Sequence, residues 1–294
     1  MADDITVEAD SGGHTDNRSL VCLLPSIQAL RDEMQAKTGQ RTRVGAAGGI
    51  GTPVAALGAF MMGADYVVTG SINQACVETA TSPHAKEMLA QADMADVVMA
   101  PAADMFEMGV KLQVLKRGKL FPMRAQKLYD VYKTYESIDD IPTEALAKLE
   151  QQIFCQSLEE VWQQTVTFFG ERDPGQIRRA EENTRRKMAL VFRWYLGLSS
   201  HWANAGDGAR EMDYQIWCGP AMGAFNDWTR GSYLAQPENR QVVEVNRHIL
   251  RGTLYMYRLQ VLRSQGLHLP AHFAAYRPMP LQKLQKENSA FRQL

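Results

Sequence analysis

Arg43–Ile72, RVGAAGGIGTPVAALGAFMMGADYVVTGSI, is the stretch that decides the fold. It reads as strand, glycine turn, helix, strand, glycine turn. Val44–Ala47 is a short run of small residues that passes directly into Gly48-Gly49-Ile50-Gly51. Thr52 then offers an N-cap oxygen and Pro53 a first-turn proline. Val54, Leu57, Gly58, Met61 and Met62 recur at helical spacing, and Tyr66–Thr69 supplies a second strand closed by Gly70-Ser71. Two consecutive strands that each end in a glycine turn can aim backbone N–H groups at one phosphate, as the loops after the last two strands of a (β/α)8 barrel do. An ordinary βαβ crossover, with glycine needed only for tight turns, accounts for the same residues.

Upstream, Ile5–Ala9 alternates apolar and polar residues and ends in the polar loop Asp10-Ser11-Gly12-Gly13-His14-Thr15-Asp16. An amphipathic helix follows, with Leu20, Leu23, Leu24, Ile27, Leu30 and Met34 on its stripe, and closes near Gly39. The first 72 residues therefore run strand–helix–strand–helix–strand, the rhythm of a parallel α/β fold. Downstream the rhythm stops. Val97–Met99 is a short strand before Pro101, and Val110–Gly118 fits strand or helix. An acidic loop at Ser137–Pro142 marks a boundary, and from Thr143 the chain reads helical. Helices are expected over 144–154 and 158–169, then one continuous helix from Asp173-Pro174 that turns apolar and aromatic by Met188–Leu196. Gly206–Pro220 is a loop, and a long final helix from near Pro237 carries Val242, Val245, Ile249, Met256 and Leu259 and stops at Gly266. The tail after Pro270 reads as polar and frayed.

The 294 residues are 45% hydrophobic and 22% charged, enough for a substantial core, with a formal net charge of −1. That balance argues against a nucleic-acid-binding protein. Arg178, Arg179, Arg185, Arg186 and Lys187 do cluster, but glutamates interleave them, and the cluster reads as a solvated helix face. Cys22, Cys76, Cys155 and Cys218 are too scattered for a zinc site or a disulfide framework, and no metal is expected. The acidic N-terminus is unlike a signal peptide, and no apolar run approaches the ~20 residues of a membrane span, so a cytoplasmic protein is expected. Glu159-Glu160 and Asp139-Asp140 read as surface acids, and Ser199-Ser200-His201 lacks the elbow of a serine hydrolase. Phe192, Trp194, Tyr195, Trp202, Trp217, Phe225 and Trp228 read as a helical core. The alternative is that the loop from Trp217 to Trp228 caps the site or receives an acyl chain.

A set of motifs carries a resemblance. Glu8–His14 (EADSGGH), Ala47–Gly51 (AGGIG), Thr69–Gln74 (TGSINQ), Ala100–Phe106 (APAADMF), Leu115–Gly118 (LKRG), Phe192–Gly197 (FRWYLG) and Cys218–Asn226 (CGPAMGAFN) together resemble the trans-acting enoyl reductases of polyketide and polyunsaturated-fatty-acid synthases. These are relatives of nitronate monooxygenases, and the likeness covers about Asp4 to Gly266. The resemblance implies the C-terminal portion of an FMN-binding (β/α)8 TIM barrel over 1–100, a connecting or lid region over 101–142 and a mostly helical domain over 143–294. Three good strand candidates and one weak one fall short of the eight a barrel needs, so the barrel is expected to be incomplete, its earlier strands lying before Met1.

What the resemblance implies for function is equally specific. FMN, reduced by NAD(P)H as co-substrate, would saturate the α,β double bond of an enoyl thioester on acyl carrier protein. The flavin does the redox work while the protein orients it and supplies donors. Ala47, Gly48, Gly49 and Gly51, with Thr69, Gly70 and Ser71, match the phosphate loops, and Ser11, Gly12 and Gly13 lead to His14. His14, at the end of a strand on a glycine loop, is the candidate catalytic donor, since a histidine can give or take a proton near neutral pH. The competing reading is a loop histidine that only shapes the pocket. Asp10 and Ser11 read as positioning residues. Alternatives for the whole chain are a nitronate-oxidising flavoprotein, or a non-catalytic fragment or half of a split enzyme whose partner chain supplies the N-terminal half-barrel. Where the family has Gly-Thr-Ser after Glu78, this chain has Ala80-Thr81-Ser82, a difference that matters if that position needs positive φ.

Overall fold

The computed structural model describes residues 2–280 and 282–283. In chain order it holds β1 (Asp4–Glu8), the two-residue strand β2 (Gly13–His14), α1 (Leu20–Thr38), β3 (Arg43–Ala47), α2 (Pro53–Met61), β4 (Tyr66–Val68), α3 (Ser71–Gln74) and α4 (Pro83–Ala90). There follow β5 (Val97–Pro101), β6 (Lys111–Leu115), α5 (Phe121–Thr134), α6 (Thr143–Leu149), α7 (Leu158–Arg172), α8 (Pro174–Glu181) and α9 (Thr184–Ala205). The last helices are α10 (Ala221–Thr229) and α11 (Val242–Ser264). The protein is mixed α/β and rich in helix. It divides into two units, one made of the residues up to Val97 with those from Trp217 onward, the other of Val98–Ile216. The second unit is thus inserted into the first, and α10 and α11 group with the strands rather than with the helices of 143–216.

In the first unit β1, β3 and β4 form a parallel sheet in that order, with Ile5 opposite Val44 and Ala47 opposite Val68. Gly45 sits between Thr6 and Tyr66 in the register, and its missing side chain leaves room for the Tyr66 ring, whose hydroxyl lies 2.9 Å from Thr6 Oγ1. The expected caps are present: Thr52 Oγ1 accepts from the Ala55 N–H at 3.2 Å, and Gly39 ends α1 with φ 73°.

Two amphipathic faces differ from expectation. On α2 the stripe read from the sequence is the outer one: Val54 and Met61 are exposed, while Pro53, Ala56 and Ala59 are buried. The reason is the close packing of α11, where Thr253 Oγ1 donates to the Pro53 carbonyl at 3.2 Å and a Cβ on Gly252 would collide with the Pro53 ring. Small residues, not large ones, let these helices approach. On α1, which packs against β1 and β3, only Leu24 is buried, and Val21, Leu30 and Met34 are exposed.

In the second unit β5 and β6 pair, so the ambiguous stretch 110–118 contains a strand, and Leu112, Val114 and Leu115 are buried. Its core is aromatic: Phe106, Phe121, Phe154, Phe192 and Tyr195 are buried in mutual ring contact. The buried Asp213 carboxylate accepts from Tyr195, Arg124 and Arg210, satisfying its charge. The continuous helix expected from Pro174 is two helices, because the Asn183 side chain accepts from the Arg186 N–H at 3.0 Å and restarts the ladder as a new N-cap. The tail after Pro270, expected to be frayed, is anchored where it is described: a short 3-10 turn covers Ala271–Phe273 and the Tyr276 carbonyl accepts from Trp228 Nε1 at 3.0 Å, while residues 284–294 lie outside the described residues.

α11 is held by polar anchors. Glu78 accepts from the Val242 N–H at its N-terminus. Midway, the buried His248 ring lies with Nε2 3.0 Å from the Tyr233 hydroxyl and Nδ1 2.7 Å from the Tyr276 hydroxyl, and Tyr233 donates to Glu244 at 2.6 Å. Burial holds the His248 pKa below its ordinary value, with Arg251 acting in the same direction and Glu244 opposing. The unfolded chain therefore takes up this proton before the native one does as pH falls. The stabilisation is complete above about pH 6.5 and declines below it. The urea midpoint should fall between about pH 7.5 and about pH 5.5, and His248→Gln should flatten that fall. An unaltered pH dependence in H248Q would remove the assignment.

Candidate functional site

The candidate site lies in the first unit, where three loops follow β1, β3 and β4. The Ala9 N–H donates to the Ala47 carbonyl at 2.9 Å, setting the first two loops side by side. Gly48 then turns with φ 83°, and a Cβ there would lie 2.6 Å from the Ala9 carbonyl carbon. Glycine is required at that position by both conformation and space. Gly49 follows with φ 72° but faces open space, as does Gly70 in the third loop. Among the described residues nothing accepts from the N–H groups of Gly49, Ile50, Gly51, Gly70 or Ser71.

The segment Trp217–Ala221 joins all three loops. A Cβ on Gly12 would lie 2.8 Å from the Cys218 nitrogen, and one on Gly51 would collide with the Ala221 carbonyl oxygen. Ser71 Oγ accepts from the Gly219 N–H at 2.9 Å, and Gln74 Nε2 donates to the Trp217 carbonyl at 2.7 Å. The Trp217 indole, 41% exposed, meets His14 edge-on at 5.7 Å between ring centroids. Burial pushes the Cys218 thiol up to about 12 and the Cys76 thiol up to about 11, so neither is a thiolate nucleophile near neutral pH.

The expected site residues are thus drawn to one place, with differences in what each does locally. Gly12, Gly13, His14, Gly51 and Ser71 border Trp217–Ala221 directly. Gly48 and Ala47 hold the first loop against the second. Ser11 Oγ donates to Glu8 at 3.0 Å, and Asp10 accepts from Asn17 at 2.7 Å, both bonds bracing the His14 loop. Thr69 is bonded to Asn73 through both its hydroxyl and its carbonyl, and so shapes the third loop from within. Ala80 has no positive φ, and Ser82 caps α4 by accepting from the Ala85 N–H at 3.3 Å, so the Gly-to-Ala difference there needs no strain. The segment that the sequence offered only as an alternative cap is the hub. Its signal was the run of small residues and proline, Cys218–Ala221 then Gly223, at which a Cβ would collide with the Met94 nitrogen.

Among the described residues no group of three or more His, Cys, Asp or Glu side chains is placed to hold a metal, and no helix is long and apolar enough to cross a membrane.

Comparisons with known proteins bear on this arrangement. Residues 135–214 match the family described as the inserted helical domain of [acyl-carrier-protein] S-malonyltransferase. The chain is 51% identical over 273 residues to one of the polyunsaturated fatty acid synthase subunits of a Thraustochytrium species, covering 90% of this chain and 18% of that one. It is 48% identical over 274 residues to the polyketide biosynthesis protein PksE of Bacillus subtilis, covering 92% and 35%. The chain therefore spans a minor part of these curated relatives. It is also similar to the crystal structure of the enoyl reductase domain of MlnA, from the macrolactin cluster of Bacillus amyloliquefaciens. That similarity has a TM-score of 0.83 at 40% identity, over 88% of this chain and 58% of that one.

The second loop, after β3, allows a paired test of its geometry. Gly48→Ala should cost about 3 kcal/mol, from left-handed backbone plus the collision with Ala9. Gly49→Ala, strained only in its backbone, should cost about 1 kcal/mol. Equal shifts of the urea midpoint would contradict the close approach to Ala9.

Proposed function

We propose that the chain takes part in FMN-dependent, NAD(P)H-driven reduction of the α,β double bond of enoyl thioesters carried on acyl carrier protein, acting in trans in polyketide or polyunsaturated fatty acid biosynthesis. The observation that carries this reading is the convergence of three glycine loops on Trp217–Ala221, with His14 at their border. The likeness to the enoyl reductase domain of MlnA supports it.

The residues fit a phosphate. Unengaged N–H groups at Gly49, Ile50, Gly51, Gly70 and Ser71 are the donors such a group requires, and the open space beside Gly49 and Gly70 leaves it room. The Ser71 oxygen already accepts from Gly219, which leaves its proton free to be donated. Bound FMN would supply the hydride chemistry between NAD(P)H and the β carbon. His14 is the group we assign to hold a proton for the thioester, either at the carbonyl oxygen, where negative charge develops, or for delivery to the α carbon. Trp217 packs edge-on against His14 at the same border.

Among the described residues the parallel sheet ends at β1 and β4, and α1 leaves Val21, Leu30 and Met34 uncovered. These are the surfaces on which further β/α units would complete a barrel, whether in the same polypeptide or in a separate chain.

The protein mixed with FMN should retain flavin absorbance through gel filtration, and should oxidise NAD(P)H only when a crotonyl thioester is present. Gly70→Val, filling open space at φ −118° and ψ −78°, should abolish flavin retention while the variant still unfolds in a single cooperative transition. His14→Gln should retain flavin and lose about 10²-fold or more in kcat. Absence of retained flavin, or NAD(P)H-independent oxidation of a nitronate in place of thioester reduction, would sink the reading.

A further inference from the structure

The basic run Arg178–Lys187 looks from the sequence like a solvated face, because Glu181 and Glu182 interrupt it. The structure separates the two signs. The chain breaks between α8 and α9 at Asn183, and Arg179, Arg185 and Arg186 line one cavity of about 750 Å³, while Glu181 and Glu182 do not. Arg193, two turns beyond Arg186 on α9, lines the same groove.

We propose that this groove in the Val98–Ile216 unit is the docking site for one acidic helix of a protein partner. The partner named is the carrier protein that brings the thioester, and in naming it the inference rests on the function proposed above.

Charge is the first argument. Four arginines face Asp104 and Glu107, and Arg186 has no ion pair among the described residues. The others are held loosely or from outside. Arg193 lies 3.5 Å from Glu107, Arg179 lies 3.7 Å from Asp173, and Arg185 is paired with Glu136, neither Asp173 nor Glu136 lining the groove. The Arg179 and Arg185 pairs are exposed and therefore weak, and the half-buried Arg193–Glu107 pair is long at 3.5 Å, so the arginines can exchange them for a partner's carboxylates.

Shape and apolar surface are the second. The Arg185 guanidinium lies 4.9 Å over the Tyr132 ring, which holds its planar fork in place. Arg186 and Arg193, seven residues apart on one helix, are about 10 Å apart along its axis, matching carboxylates two turns apart on a facing helix. Met105 and Met108 lie on the same groove, and Met108 is 70% exposed. Methionine adapts to the apolar face of a bound helix. A groove that joins fixed arginines to exposed methionines suits an acidic amphipathic helix better than a small anion.

The test uses the full chain and a purified, fluorescently labelled apo acyl carrier protein from a polyketide or fatty-acid assembly system, read by anisotropy. Binding should weaken as salt is raised from about 0.05 M to about 0.5 M, as screening requires. Arg179→Glu with Arg186→Glu should weaken it at least tenfold. Met108→Glu, a change on an exposed side chain, should weaken it severalfold and guards against misfolding of the double variant. Flavin retention should be unchanged in all of them. Reduction of crotonyl carrier protein should fall with binding, while reduction of crotonyl pantetheine stays level. If the variants lose carrier binding but no protein reduces either thioester, the groove stands and the reductase reading fails. If both thioesters are reduced and charge reversal leaves carrier binding unchanged, the groove assignment fails alone. Failure of the native protein to bind the carrier, or binding of an oligonucleotide in its place, overturns the proposal.

Discussion

Backbone meeting backbone is the constraint on which the first unit depends. Gly12 faces Cys218 and Gly219, and Gly51 faces Ala221, at separations that leave no room for a Cβ. Such contacts bury peptide groups that must then find partners, and they do: Gly219 donates to Ser71 and the Trp217 carbonyl accepts from Gln74. A segment separated from the loops by the whole second unit thereby fixes the spacing of all three. That dependence means the N–H groups left unengaged in the second and third loops are held in place by the returning chain, not by the loops alone.

The same economy of side-chain volume governs α2 and α11, and it explains where sequence reasoning stops. The strand–turn–helix order of residues 43–72 was legible because glycine turns, Thr52 and Pro53 act locally. The buried face of α2 was not, because hydrophobicity favours Val54 and Met61, whereas the neighbour that covers the helix requires Pro53, Ala56 and Ala59. What selects that face is Gly252, nearly two hundred residues away. Periodicity reports which residues prefer burial. It does not report how near a partner backbone will come.

The site divides the same way. Gly48 and His14 could be singled out from local pattern and resemblance, and the structure sets their loops beside each other through the Ala9–Ala47 bond. The role of Cys218–Ala221 as hub was hidden, since its residues carry no chemistry of their own and matter only by being small. Thr69 is the converse case: a polar residue in a site motif whose hydroxyl is turned inward to Asn73. Motif membership marks the neighbourhood, and hydrogen-bond accounting decides which atoms remain for a ligand.

Charge poses the problem in its sharpest form. Along the sequence, Arg178–Lys187 and its glutamates average to little, and averaging is the correct treatment for a single continuous helix with a wet face. A single cap changes the answer. Once Asn183 ends one helix and begins another, residues on either side no longer share one helical phase, and the arginines can gather where the glutamates do not. Electrostatic character therefore follows from the capping residue as much as from the charged ones. A basic groove can arise within a chain of nearly zero net charge.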